Sequence, residues 1–229
     1  MLARKINIFE EALRLIEPFA MVDLAYVSDM AVSLYACQGA LAWHRHLDYD
    51  ELFLVHNGAI VLESELGSTS LRPGELAVIP KGIAHRSASM LWSIVLLLHV
   101  GVFADRRNGD RRLHAVKGDK QLAKVSIPDQ VKQITQPFVP QSLAQIDDFT
   151  LQLFVARGSI PWRKASQDIM FLVHEGRIDL STPDGLSVLN QGEMIVIGHS
   201  ISYRMLASER AVVLSLTRMK QQKLEGLEG

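Results

Sequence analysis

Four side chains in the first ninety residues have the types and spacing to hold a metal ion. His44 and His46 stand two apart in Trp43-His44-Arg45-His46, Glu51 follows five residues on, and His85 comes after Pro80-Lys81-Gly82. Residues two apart on a strand share a face, so both imidazoles can point into one interior while Arg45 between them points out. Glu51 opens an apolar run that closes at Asn57-Gly58, a pair favoured in tight hairpin turns. Three imidazoles and a carboxylate suit one borderline divalent ion per chain: Fe, Mn, Ni, Zn or Co. Four protein donors on an octahedral ion leave two positions for water, oxygen or a substrate.

The elements that must position these groups are short. Apolar stretches at 30–37, 51–56, 59–64, 76–79, 85–89 and 93–98 are separated by Gly, Pro and Asn, with no long helical pattern between them. That reads as all-β, an antiparallel sandwich or barrel. A short helix precedes the strands, with Asn7 as its cap and Glu10 three residues later.

The chain also repeats itself. A shift of 118 lays Asp50-Glu51-Leu52-Phe53-Leu54-Val55-His56-Asn57-Gly58 on Asp168-Ile169-Met170-Phe171-Leu172-Val173-His174-Glu175-Gly176, and Gly74-Glu75 on Gly192-Glu193. Upstream a shift of 119 lays Lys5, Ile8, Pro18 and Phe19 on Lys124, Ile127, Pro137 and Phe138. A second short helix, capped by Ser126 with Pro128 in its first turn, opens the second copy. The expected domains are 1–103 and 124–229, joined by a solvated linker at 104–123 that carries Arg106, Arg107, Arg111 and Arg112. At a shift of 118 the four candidate ligands fall on Trp162, Lys164, Ile169 and Tyr203, none of them a good donor for such an ion. The second copy is therefore expected to serve as a packing partner. An alternative is that Trp162, Lys164 and Tyr203 line a metal-free pocket. His56 alternates out of phase with Glu51 and recurs as His174, which marks it as structural.

Gly39-x4-His44-x-His46-x4-Glu51-x6-Gly58 and Gly74-x5-Pro80-x-Gly82-x2-His85 resemble the two signature motifs of the cupin superfamily. The resemblance implies double-stranded β-helix (jelly-roll) barrels, with His44, His46, Glu51 and His85 as the metal ligands. Combined with the repeat, it implies a two-domain bicupin whose metal site lies in the N-terminal copy alone. The first spacer is one residue shorter than the usual pattern, and Ser89 stands where Asn usually ends the second motif; neither departure touches a ligand.

Strand alternation and proximity to His85 suggest a substrate pocket walled by Tyr35, Phe53, Val55, Ile83, Met90 and Trp92. Such a site fits a metal-dependent dioxygenase-like enzyme, or a lyase or isomerase, acting on a small organic molecule. The alternative is a non-catalytic metal- or ligand-binding module or sensor. A net charge of −1 offers no basic face for nucleic acid. The longest apolar run, Ile94 to Leu98, is far short of the roughly 20 residues that cross a bilayer, so no membrane partner is expected. A lone cysteine, Cys37, excludes an internal disulfide, reads as a buried structural thiol and suits a reducing, cytoplasmic setting. No nucleophile elbow, phosphate loop or dinucleotide fingerprint competes. The expected assembly is a monomer or a homodimer.

Overall fold

A computed structural model describes residues 4–100 and 122–219, so the proposed linker lies, but for its last two residues, outside the described residues. The regular structure of the described chain is almost entirely strand, in two separate sheets. The elements of the first half are β1 (Ile6–Asn7), α1 (Ile8–Ala12), β2 (Met21–Val27), β3 (Met30–Ala40), β4 (Glu51–Asn57), β5 (Ile60–Ser64), β6 (Gly67–Leu71), β7 (Glu75–Ile79) and β8 (His85–Val100). Those of the second are β9 (Lys124–Ser126), α2 (Ile127–Val131), β10 (Gln141–Ile146), β11 (Phe149–Ser159), β12 (Arg163–Lys164), β13 (Ile169–Glu175), β14 (Arg177–Thr182), β15 (Gly185–Asn190), β16 (Glu193–Ile197) and β17 (Ser202–Arg218).

The strand orders agree. One sheet runs β2-β3-β8-β4-β7-β9 and the other β10-β11-β17-β13-β16-β1, with the hairpins β5-β6 and β14-β15 attached to β8 and β17. The end strands are exchanged: Ile6 pairs with Met194 in the second sheet, and Val125 pairs with Leu76 in the first. Each exchanged strand runs straight into a one-turn helix. Asn7 caps α1 by accepting from the amides of Phe9 and Glu10, and Ser126 caps α2 by accepting from Asp129.

Apolar residues fill both faces of the central strands, which explains their near-continuous hydrophobic runs. On β8, Ile94, Leu96 and Leu98 enter one core while Val95 and Leu97 enter another. The first of these cores lies between the sheets and draws Leu34, Leu52 and Leu54 from one and Leu153, Leu172 and Leu214 from the other. The remaining two fill the concave sides of the individual sheets. Each fully buried leucine is worth about 1.5–3 kcal/mol, so the shared core binds the two halves strongly. Gly58 (φ +79°) ends β4 where only glycine fits, because an added Cβ would lie 2.3 Å from Ser93 Oγ. No helix among the described residues is long and apolar enough to cross a membrane.

Candidate metal centre

His44 and His85 face each other as an antiparallel bridge. The His44 amide donates to the His85 carbonyl at 3.1 Å and the His85 amide donates back at 2.9 Å. Glu51 and His85 begin β4 and β8, so each side chain sits at the rim of the sheet, and the Gly82 amide ties the His46 carbonyl at 2.6 Å. One donor atom from each of His44, His46, Glu51 and His85 falls within 4.8 Å of the others. Donors about 2.1 Å from a shared ion lie roughly 3–4.2 Å apart, so the cluster has the dimensions of a coordination shell. Among the described residues this is the one such group of three or more.

The ring orientations fit the same purpose. His44 Nδ1 lies 2.9 Å from the Ala42 carbonyl and His85 Nδ1 lies 3.0 Å from the Ile83 carbonyl. A carbonyl can only accept, so both Nδ1 atoms carry a proton, and once Nε2 gives up its own proton each ring can offer that lone pair to a metal. His46 Nδ1 is engaged by the Tyr49 hydroxyl at 2.7 Å, and the two rings stack at 4.6 Å. The Nε2 atoms of His85 and His46 approach the two Glu51 oxygens at 2.8 and 3.2 Å. Burial by itself would raise the Glu51 carboxyl. Hydrogen bonds and charge from His46 and His85 outweigh it and bring the pKa down to about 2, so the carboxylate is ionised. Burial pushes the pKa of His44 down from its ordinary value. The donor set thus suits a divalent transition ion.

Of the residues expected in the pocket, Tyr35, Phe53, Val55 and Ile83 are buried in one core, with Phe53 edge-on to His85 at 5.8 Å and to Tyr35 at 6.5 Å. Met90 and Trp92 are not with them. They sit on the opposite face of β8 from His85, Ser87 and Ser89, 94% and 37% exposed, because strand alternation turns even-numbered residues outward there. Arg45 points out to Glu65 at 3.1 Å, and His56 packs against Phe9 away from the cluster. Cys37 is buried, and burial raises its thiol.

The counterparts in the second half need correcting. Arg163 bridges Tyr203 as His44 bridges His85, and the Ser200 amide ties the Ala165 carbonyl as Gly82 ties His46. His44 and His46 therefore correspond to Arg163 and Ala165, not to Trp162 and Lys164. The shift stays at 119 through this strand and drops to 118 in the following loop, where Leu47-Asp48-Tyr49 faces Ser166-Gln167. Trp162 instead matches Trp43: Arg86 lies over one ring at 5.4 Å and Arg204 over the other at 5.7 Å.

The family model described as homogentisate 1,2-dioxygenase N-terminal matches residues 9–90, a span that includes all four candidate ligands. The protein named Uncharacterized protein YdbB, from Bacillus subtilis (strain 168), is 33% identical over 81 residues, which are 35% of this chain and 72% of that protein. The chain belongs to the same family as YdbB. Among solved structures, a cupin 2 conserved barrel domain protein from Leptotrichia buccalis superposes with a TM-score of 0.73 at 12% identity, covering 95% of this chain and 97% of that one. Salicylate 1,2-dioxygenase from Pseudaminobacter salicylatoxidans gives 0.74 at 11% identity over 95% and 84%. At these identities the likeness establishes the fold, which is that of the cupins.

Two further residues belong to this neighbourhood. Tyr49 comes from the loop that is one residue longer in the first half, so no periodicity announces it. His99 is 1% exposed, pairs with Glu51 across β8 and β4, and has its ring 5.6 Å from that of Tyr49. It continues the inward series Val95, Leu97, which the sequence could have disclosed; its register with Glu51 required the sheet.

Proposed function

We propose that this chain is a bicupin metalloenzyme, with domains 1–103 and 124–229. One divalent transition ion is held in the N-terminal barrel by His44, His46, Glu51 and His85, and the chemistry is of the dioxygenase type on a small organic molecule. The observation that carries the reading is the convergence of three imidazoles and one ionised carboxylate within 4.8 Å at the rim of an apolar interior. The family match over 9–90 and the fold shared with salicylate 1,2-dioxygenase support oxygen-dependent chemistry and make oxygenated aromatic acids the first substrates to test.

A bound ion would supply Lewis acidity and, if redox-active, electron transfer toward dioxygen. The protein's own groups prepare the site for it. The carbonyls of Ala42 and Ile83 and the hydroxyl of Tyr49 hold the three rings with Nε2 inward. Glu51 brings the negative charge. Phe53, Val55 and Ile83 exclude water and offer an apolar surface to a substrate ring. The Tyr35 hydroxyl is buried beside Ser87 and burial keeps it protonated, so it can donate a hydrogen bond to a substrate oxygen.

Elemental analysis of protein purified without added metal, beside His44→Ala and Glu51→Ala, tests the site. About one transition ion per chain, lost in both variants, is expected. Oxygen uptake on homogentisate, gentisate and salicylate tests the reaction. A bound ion with no uptake would move the reading to a redox-neutral lyase or isomerase, or to a non-catalytic ion-binding module. Failure to take up any ion would overturn it.

A further inference from the structure

The concave side of the second sheet holds a partly open cavity of about 90 Å³ in the place where the first sheet has its metal cluster. Its wall is the repeat image of that cluster. Arg163 stands for His44, Ile169 for Glu51, Tyr203 for His85, Phe171 for Phe53 and Phe154 for Tyr35. No ion can be coordinated here, since a guanidinium has no lone pair to give and Ile169 has no donor. The pocket instead carries a positive charge of its own, on Arg163.

Arg163 and Tyr203 are direct cross-strand partners, so their side chains lie next to each other on one face of the sheet. The neighbouring pair, Trp162 and Arg204, turns to the opposite face and satisfies itself there. The Arg163 side chain makes no hydrogen bond or ion pair among the described residues, and neither does the Tyr203 hydroxyl. Two donors without acceptors thus stand at the open side of a pocket lined by Phe138, Phe154, Phe171 and Met205, with Gln152 and Ser215 on its wall. An apolar recess with a few convergent polar groups at one end is the usual form of a small-ligand site, and an arginine fork matches a carboxylate.

We propose that the second half binds a small organic carboxylate, its apolar body no larger than a single ring, between the phenylalanines and its carboxylate on Arg163 and Tyr203. The aromatic walls favour a flat ring, which can meet them edge to face. This inference does not depend on metal binding or catalysis in the first half.

The test uses benzoate, with benzyl alcohol as its uncharged counterpart, titrated onto the full chain by calorimetry and ligand-observed NMR. Arg163 is exposed, so Arg163→Gln leaves the core intact. Benzoate is expected to bind, to weaken at least about tenfold in Arg163→Gln, and to be unaffected by the paired His44→Ala and His85→Ala changes in the first half. Tyr203→Phe should weaken it less. No benzoate binding at millimolar concentrations would overturn the proposal. So would binding that Arg163→Gln leaves unchanged, binding lost with the first-half histidines, or benzyl alcohol binding as tightly as benzoate.

Discussion

The two halves of this chain differ most where they could do chemistry and least where they touch each other. Asp50 accepts from the amides of Lys81 in its own half and Asp147 in the other; Asp168 does the same with His199 and Ser28. Lys124 reaches Glu75 at 3.0 Å and Lys5 reaches Glu193 at 2.9 Å, each tying an exchanged end strand to its host sheet. His56 and His174 sit beside Gly192 and Gly74 in matching places. Against this symmetry, His44, His46, Glu51, His85 and His99 face Arg163, Ala165, Ile169, Tyr203 and Thr217. The shared residues hold two halves together, and the unshared ones give each half its own interior.

The sharpest way to break that comparison is to make equivalent changes on both sides. Glu51→Ala or His85→Ala should cost metal affinity by more than about 100-fold, while Tyr49→Phe, which removes only the support of His46, should cost about tenfold. Ile169→Ala and Tyr203→Ala should leave the ion content unchanged. Metal titration followed by elemental analysis reads all five. Loss of the ion from a second-half variant would end the claim that the metal chemistry belongs to one side.

Much of this was legible in the residues. His44, His46, Glu51 and His85 stand out by type and spacing, and the structure assembles all four. Only Glu51 and His85 open strands, while His44 and His46 lie beyond the end of β3, His44 in an isolated bridge. Met90 and Trp92 fall outside the apolar interior because nearness to His85 in sequence does not settle which face of β8 a residue takes. The counterpart of His44 was misassigned because one residue of extra loop, 47–49 against 166–167, lies between the two offsets, and only the paired strands fix which side of it His44 falls on. The strand exchange left no local trace. It depends on which sheet edge Ile6 and Val125 find, and that is decided by the shared core rather than by either segment's own sequence.

Next in size are the two aspartates. Asp50→Ala and Asp168→Ala each leave amides without their acceptor, and each should cost about 1–3 kcal/mol in denaturant unfolding. Asp50→Ala should in addition lower metal occupancy, because it frees the start of β4 and the 80–82 turn that flank the ligands. A large cost on one side only would show that the halves are not held symmetrically. The histidine pair adds a pH signature. Burial, helped by the charge of His174, holds His56 down at about 4, against 6.5 in an unfolded chain. Above pH 6.5 both states are neutral. As pH falls from 6.5 toward 4 the unfolded chain takes up a proton that the folded one refuses, so stability declines across that window and levels off below it. Thermal melts from pH 7 to 4 should show the decline, and His56→Gln should flatten it.

The smallest effects belong to the lysines that fasten the exchanged strands. Lys5 is 42% exposed and Lys124 39%, so each pair is well screened and should be worth less than about 1 kcal/mol. The partner carboxylates do not depend on them, since Glu193 also accepts from the Asn190 amide and Glu75 from the Arg72 amide, both at 2.8 Å. Lys5→Ala and Lys124→Ala should therefore be mild, equal and further reduced in about 1 M salt, where screening acts within roughly 3 Å. Glu193→Ala and Glu75→Ala should cost more, because they strip an amide at the turn as well as the ion pair. If a lysine change alone destabilised the chain by several kcal/mol at high salt, the exchange of β1 and β9 would rest on that charge. The backbone ladder and the shared apolar core would then be secondary.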